Sequence, residues 1–286
     1  MEVVDAHVHF WDPRGMGSEP LQYDWLRAAP ALERRFLPSD YAAASRDVNV
    51  RRIVFVEANC RPDQTVAEVS WVEGLSRSEP ALAAVVAHAD LMNTGALTRT
   101  MDTLQRVSLV RGIRHNIQGQ PPGYCLHRPF VDGVREAGRR GLTFDICATH
   151  DQLGEVVELA QLTAGTRLVL DHCGKPAIAR GLLEPWRSHI SEMAACGNVW
   201  CKISGLLTEA QPARRSDADI RPFVEHVVDQ FGAPRLMFGS DWPVLTLAGS
   251  FQDWHAFTCR LTESWSREDR RRFYHDNANH FYGLGY

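Results

Sequence analysis

Asp5, His7 and His9 stand at i, i+2 and i+4 in the run Met-Glu-Val-Val-Asp-Ala-His-Val-His-Phe that opens the chain. Val3 and Val4 start a β-like segment, and alternate side chains of a strand share a face, so the three polar groups are expected on one side. Two imidazoles two residues apart can grip one cation. Neutral imidazole is the commonest protein ligand for zinc-like metals. The bland alternative is a strand with two incidental histidines, and the rest of the chain has to decide between them.

The elements that would position this pair follow a regular alternation. Apolar or β-branched runs are read as strands at Val3–His9, Arg52–Glu57, Leu82–His88, Leu109–His115, Leu142–Cys147, Arg167–Asp171, Val199–Ile203 and Leu236–Phe238. After the first strand comes a long loop with Pro13, Gly15, Gly17 and Pro20, and a helix start at Pro38-Ser39-Asp40. Helical patterns follow the other strands: Val66 to Leu75, Ala96–Arg106, Arg128–Arg140 closed by Gly141, and Leu153 to Ala160. Glu184–Ala195 and a segment through Phe223 to Val228 ending at Gly232 come next, and Phe251–Trp265 and Arg267–Phe281 finish the chain. Strands alternating with helices imply a parallel sheet. Eight such units predict a (β/α)8 TIM-like barrel occupying residues 1–286 as one domain. An open doubly wound sheet should carry a glycine-rich phosphate turn after strand 1, and none is present.

Composition narrows the function classes. The apolar fraction is 44% and the net charge −4, ordinary for a globular protein and no invitation to nucleic acid. Seven scattered cysteines, without a Cys-x-x-Cys pair, fit reduced thiols and a cytoplasmic setting. No signal-peptide pattern is read at the start, and no apolar run approaches the roughly 18 residues of a membrane span. The expected partner is a small-molecule substrate, with no membrane or nucleic acid, and a homo-oligomer stays open.

In a barrel of this kind chemistry sits at the C-terminal ends of the strands. There the chain places His7 and His9, Glu57 and Asn59, His88 and Asp90, Arg114-His115-Asn116, His150, Asp171-His172, Lys202 and Ser204, and Ser240-Asp241-Trp242-Pro243. Six of the twelve histidines fall at or just past strand ends. His7, His9, His172 and Asp241 form the leading constellation, since three imidazoles and a carboxylate can complete a divalent-cation site. Asp241 could hold the metal or take a proton from a nucleophilic water; its structural alternative is a turn cap.

The segments Asp5-Ala-His-Val-His-Phe, Leu170-Asp-His-Cys-Gly-Lys-Pro, Lys202-Ile-Ser-Gly-Leu and Phe238-Gly-Ser-Asp-Trp-Pro, in that order, resemble the amidohydrolase superfamily. More narrowly they resemble its amidohydrolase-related branch of sugar and aromatic lactonases. The resemblance implies a distorted barrel, hydrolysis of a small cyclic ester, and His7, His9, His172 and Asp241 as metal-site or catalytic positions. It implies one divalent metal, zinc foremost, that some members of the branch do without. Binuclear members bridge two metals with a carboxylated lysine after strand 4. Here Arg114-His115 stands in that place, so one metal at most is expected. His150 sits late for the histidine those members use after strand 5, and is open as a fifth ligand, a substrate contact or part of a helix cap.

The expected reaction is lactone hydrolysis in carbohydrate metabolism, with an L-fuconolactone or L-rhamnonolactone type of substrate. Asp241 would move the proton, and Arg114, His115 or the metal would meet the charge on the carbonyl oxygen. Trp25, Glu57, Asn116, His150, Lys202 and Trp242 are the candidate substrate contacts. Glu57 and Arg114 have a structural alternative as members of buried ion pairs, and the tryptophans as packing. The competing readings are a decarboxylase of aromatic or unsaturated acids, a lactone isomerase on the same barrel, and a non-catalytic sugar-binding barrel.

Overall fold

The computed structural model describes residues 1–15 and 20–285; Gly17 of the first loop lies outside the described residues. Eight parallel strands follow one another around a single sheet in chain order. They are β1 Val3–Val8, β2 Val50–Val56, β3 Leu82–His88, β4 Val110–Arg114, β5 Thr143–Ile146, β6 Leu168–Leu170, β7 Val199–Ile203 and β8 Leu236–Phe238. The helices are α1 Pro38–Ser45, α2 Thr65–Ser76, α3 Thr94–Leu104, α4 Arg128–Arg139, α5 Leu153–Leu162, α6 Trp186–Ala195, α7 Asp217–Phe231, α8 Phe251–Leu261, α9 Arg267–Arg271 and α10 Asn277–Tyr282. This is the (β/α)8 barrel expected from the alternation.

Alternation along the strands sorts the apolar residues into two cores. Val4, Ala6, Val54, Val56, Ala84, Val86, Val169 and Met237 fill the lower barrel interior together with Phe281 and Tyr282 of α10. The other parity, such as Phe55, Val85, Ile113, Phe144, Leu170, Ile203 and Phe238, packs outward in the larger core shared with the helices. The last helix plugs the end where the strands begin. Asn277 Nδ2 donates to the carbonyls of Ala233 and Leu236, just before and at the start of β8, and Arg167 Nη1 donates to Phe281 O. Several outer helices start on the caps their sequence offers, with Ser216 and Ser250 each reciprocating with an aspartate three residues on.

Two expectations change. The segment Arg267–Phe281 is not one α-helix: Arg272–Asp276 widens into a π-helical stretch. There the adjacent rings of Phe273 and Tyr274 both pack against Phe238, which a wider turn permits. Asp5 does not share a face with His7 and His9. Asp5 is in register with Ile53 and Val8 with Phe55, so β1 spends three steps where β2 spends two. This bulge shifts the parity. Ala6 stays in the inner core, His7 and His9 above the bulge turn inward, and Asp5 receives the hydroxyl of Tyr41 from α1 at 2.9 Å.

The barrel closes through its upper rim. Asp241 N donates to His7 O at 2.9 Å and His9 N to Trp242 O at 2.8 Å, while Ser240 N is taken by Asp5 Oδ1 at 2.8 Å. A side chain thus completes the β8–β1 seam, which is where the expected distortion lies. Among the described residues, no helix is long and apolar enough to cross a membrane.

Candidate active site

The seam and the bulge deliver four side chains to one point at the strand C-termini. His7 Nε2 and His9 Nε2 stand 3.2 Å apart. Asp241 Oδ1 lies 3.4 Å from His9 Nε2, 3.8 Å from His7 Nε2 and 3.9 Å from His172 Nε2. His172 arrives on a run of left-handed backbone, His172 (φ 55°), Cys173 (φ 53°), Gly174 (φ 68°) and Lys175 (φ 47°), and Asp241 is left-handed too, at φ 61°. Such conformations cost about 1–2 kcal/mol for each residue with a Cβ. They gather at functional sites when the surroundings over-determine them. Two glycines make the room. A Cβ on Gly205 would come within 2.5 Å of His172 Nδ1, and one on Gly239 within 2.9 Å of His7 Cβ.

Each imidazole is held by its other nitrogen. His9 Nδ1 donates to Val56 O at 2.8 Å, because a carbonyl only accepts. His172 Nδ1 is 2.8 Å from Ser204 Oγ, and His7 Nδ1 lies between Lys202 Nζ at 3.1 Å and Asp171 Oδ1 at 3.2 Å. A proton on Nδ1, which the Val56 carbonyl fixes for His9, leaves the Nε2 lone pair for the shared point, the arrangement found around metal-ligating histidines. Burial pushes His7 and His172 well below the usual histidine range, so both imidazoles are neutral. Burial alone would raise the Asp241 carboxyl, yet it lies below the usual carboxylate value. Neutral imidazoles and an anionic carboxylate are the donor set a divalent cation needs. Ligands at zinc bond lengths on tetrahedral corners sit roughly 3.4 Å from one another, close to the 3.2 Å and 3.4 Å found for His7–His9 and His9–Asp241. His7, His9 and Asp241 therefore fit a divalent ion, with His172 beside them 3.9 Å from Asp241 Oδ1 as the candidate fourth ligand.

Several other expected site residues are placed differently. Glu57 is fully buried, with one oxygen on Arg114 Nε at 2.6 Å and the other on Asn59 N at 2.7 Å. Arg114 also reaches Glu57 O and Asp171, so it is the wall ion pair that was its structural alternative, not a free cation for an oxyanion. His115 is neutral, pushed down to about 4 by burial and by His88. Its Nδ1 accepts from Leu91 N at 3.0 Å, which puts the ring proton on Nε2 and toward Tyr124 Oη at 3.1 Å. His115 is thus neither base nor cation.

Lys202 is fully buried beside His7, 2.5 Å from Asp145 and 2.9 Å from Asp171, and so out of a substrate's reach. Trp242 is buried among Phe10, Phe36 and Tyr41 and packs the seam. His150 stands outside the cluster: its Nε2 accepts from Arg180 at 2.6 Å, so it offers no lone pair there to a metal. Trp25 is half-buried with its ring N–H on Ala58 O at 2.8 Å. Asn116 closes a turn through its side-chain oxygen to Gln118 N at 3.0 Å.

Sequence reasoning gave no role to Asp145, Asp171, Gly205 or Gly239. Asp145 did carry a signal, a carboxylate within an apolar strand run; Asp171 and both glycines lie inside segments that carry the family resemblance.

Three histidines and an aspartate gathered at the strand C-termini of a (β/α)8 barrel are side chains that metal-assisted hydrolysis can use. The chain belongs to the amidohydrolase family, whose model matches residues 4–284. It is 34% identical to L-fucono-1,5-lactonase of Burkholderia ambifaria over 98% of this chain and 95% of that one. A crystal structure of an amidohydrolase from Burkholderia multivorans with bound zinc superposes with a TM-score of 0.88, at 31% identity over the whole of both chains. The 2,6-dihydroxybenzoate decarboxylase from Rhizobium shares the fold with a TM-score of 0.64 at 14% identity, covering 99% of this chain and 98% of that one.

Proposed function

We propose that this protein opens a small sugar lactone of the L-fucono-1,5-lactone kind to the free hydroxy acid. The observation that carries the reading is the convergence of Asp241 Oδ1 on three imidazole Nε2 atoms within 3.9 Å. The full-length likeness to a protein named L-fucono-1,5-lactonase supports the substrate class. We read the ion as zinc, supported by the zinc-bound relative and by the imidazole-rich donor set. Seven free thiols support a reducing compartment, the cytoplasm, and the substrate class a role in carbohydrate metabolism.

A bound divalent cation supplies Lewis acidity. The chain's own part falls to Asp241. Its carboxylate accepts a proton from a water whose oxygen attacks the lactone carbonyl carbon. The acyl–ring oxygen bond then breaks, and Asp241 returns the proton to the departing oxygen, leaving a hydroxyl and a carboxylic acid. Being ionised at neutral pH, Asp241 is ready as the acceptor. Asn116, just past β4, is the substrate contact we retain from the sequence, through its side-chain nitrogen.

A pH-indicator screen of an aldonolactone panel, run with added zinc and with a chelator, tests this reading. Acid release from L-configured sugar lactones, lost with chelator, is expected. No acid from any lactone, with carbon dioxide released from hydroxybenzoates, would replace the reading with the decarboxylase.

A further inference from the structure

A chain of buried ion pairs crosses the barrel beneath the cluster, and the reaction above gives it nothing to do. Tyr282 Oη donates to Asp145 Oδ2 at 2.8 Å, and Lys202 Nζ bridges Asp145 at 2.5 Å and Asp171 at 2.9 Å. Arg114 Nη1 meets the second oxygen of Asp171 at 3.3 Å and its Nε meets Glu57 at 2.6 Å. Asp171 is therefore gripped on both oxygens by cations from different strands, β4 and β7. Burying such a carboxylate is costly unless it is held in this way.

We propose that Asp171 is a positioning residue of the metal centre, with Lys202 and Arg114 as its anchors: it accepts the Nδ1 proton of His7 and so turns the Nε2 lone pair toward the ion. This rests on the metal-site reading above. A neutral imidazole has one proton for two nitrogens. Two groups compete for His7 Nδ1: Lys202 Nζ at 3.1 Å, which is within hydrogen-bond geometry but only donates, and Asp171 Oδ1 at 3.2 Å, a buried acceptor that otherwise has no hydrogen-bond partner and needs a donor. Were Lys202 the partner, Nε2 would carry the proton and point it at His9 Nε2, unable to ligate. Asp171 is the partner that leaves Nε2 free. His9 and His172 rest on neutral oxygens, the Val56 carbonyl and the Ser204 hydroxyl. His7 alone has an anion facing its Nδ1, and a carboxylate behind an imidazole strengthens its hold on a metal.

The test measures zinc affinity directly, by competition with a chromophoric chelator, for the native protein, Asp171→Asn and Ser204→Ala. Asp171→Asn is expected to weaken zinc about 10–100-fold, and Ser204→Ala less. A folded Asp171→Asn protein within twofold of native overturns the assignment; a native protein that binds no zinc overturns the metal reading itself. Should Asp171→Asn fail to fold, the native protein with ring-¹⁵N histidine and bound ¹¹³Cd answers instead. A His7 that couples to cadmium through Nε2 and carries a strongly deshielded Nδ1 proton is expected. Coupling through Nδ1, or an unprotonated Nδ1, overturns the proposal.

Discussion

At the scale of single residues, burial without a positive partner decides which groups carry charge. His7 and His172 lose their protons to desolvation, while Asp241 keeps its charge although it is buried. The glycines at this point are steric requirements. Gly205→Ala would drive a methyl into the His172 ring, so zinc affinity and kcat/KM should both fall by at least about tenfold, measured by chelator competition and lactone hydrolysis.

Glu68 shows the same physics outside the site. It is fully buried, and desolvation together with the nearby Glu57 pushes its carboxyl up from 4.5 to about 8. The folded protein thus binds this proton more tightly than the unfolded chain does. Its contribution is complete below pH ~4.5 and is lost as pH rises through about 8. Glu68→Gln should therefore melt like the native protein at pH 5 and above it at pH 9, by thermal denaturation across that range. The four central positions were legible because each interrupts or follows an apolar strand run. Glu68 was not, because its shift comes from neighbours that only the fold supplies.

At the scale of elements, one extra residue in β1 and a short left-handed run after β6 do most of the positioning. Strand existence was legible throughout, and β3, β7 and β8 keep the bounds read from the sequence. The bulge was not legible: a period of two shows where a strand runs, not where one residue is added, so Asp5 was grouped with histidines it faces away from. The seam was equally hidden, since a tryptophan beside a catalytic aspartate reads as a pocket wall until its neighbours are known. Trp242→Ala removes a ring packed on Phe10, Phe36 and Tyr41 at that seam. It should cost about 3–5 kcal/mol in denaturant unfolding, with zinc affinity falling because Asp241 is its direct neighbour.

At the scale of the whole molecule, a polar column joins the helix that plugs one end of the barrel to the cluster at the other. Burial alone would lower the Lys202 ammonium, but Asp145 and Asp171 hold it above its usual value, so it is charged. Lys202→Met would leave two buried carboxylates short of a counterion and should destabilise the fold by roughly 3–5 kcal/mol, read from the denaturant midpoint. The sequence showed both lysines at strand ends. The partners of Lys202, Asp145 and Asp171, lie on β5 and just past β6 and are brought to it by the barrel, which is why a substrate role was assigned to a residue locked inside.

The central claim is that Asp241 and the three imidazoles carry lactone hydrolysis. Initial rates of L-fucono-1,5-lactone hydrolysis by Asp241→Asn, with circular dichroism to confirm the fold, test it most directly. Loss of a positioned acid–base group predicts a fall in kcat of about 10²–10⁴-fold. A folded variant turning over within threefold of the native rate would contradict it.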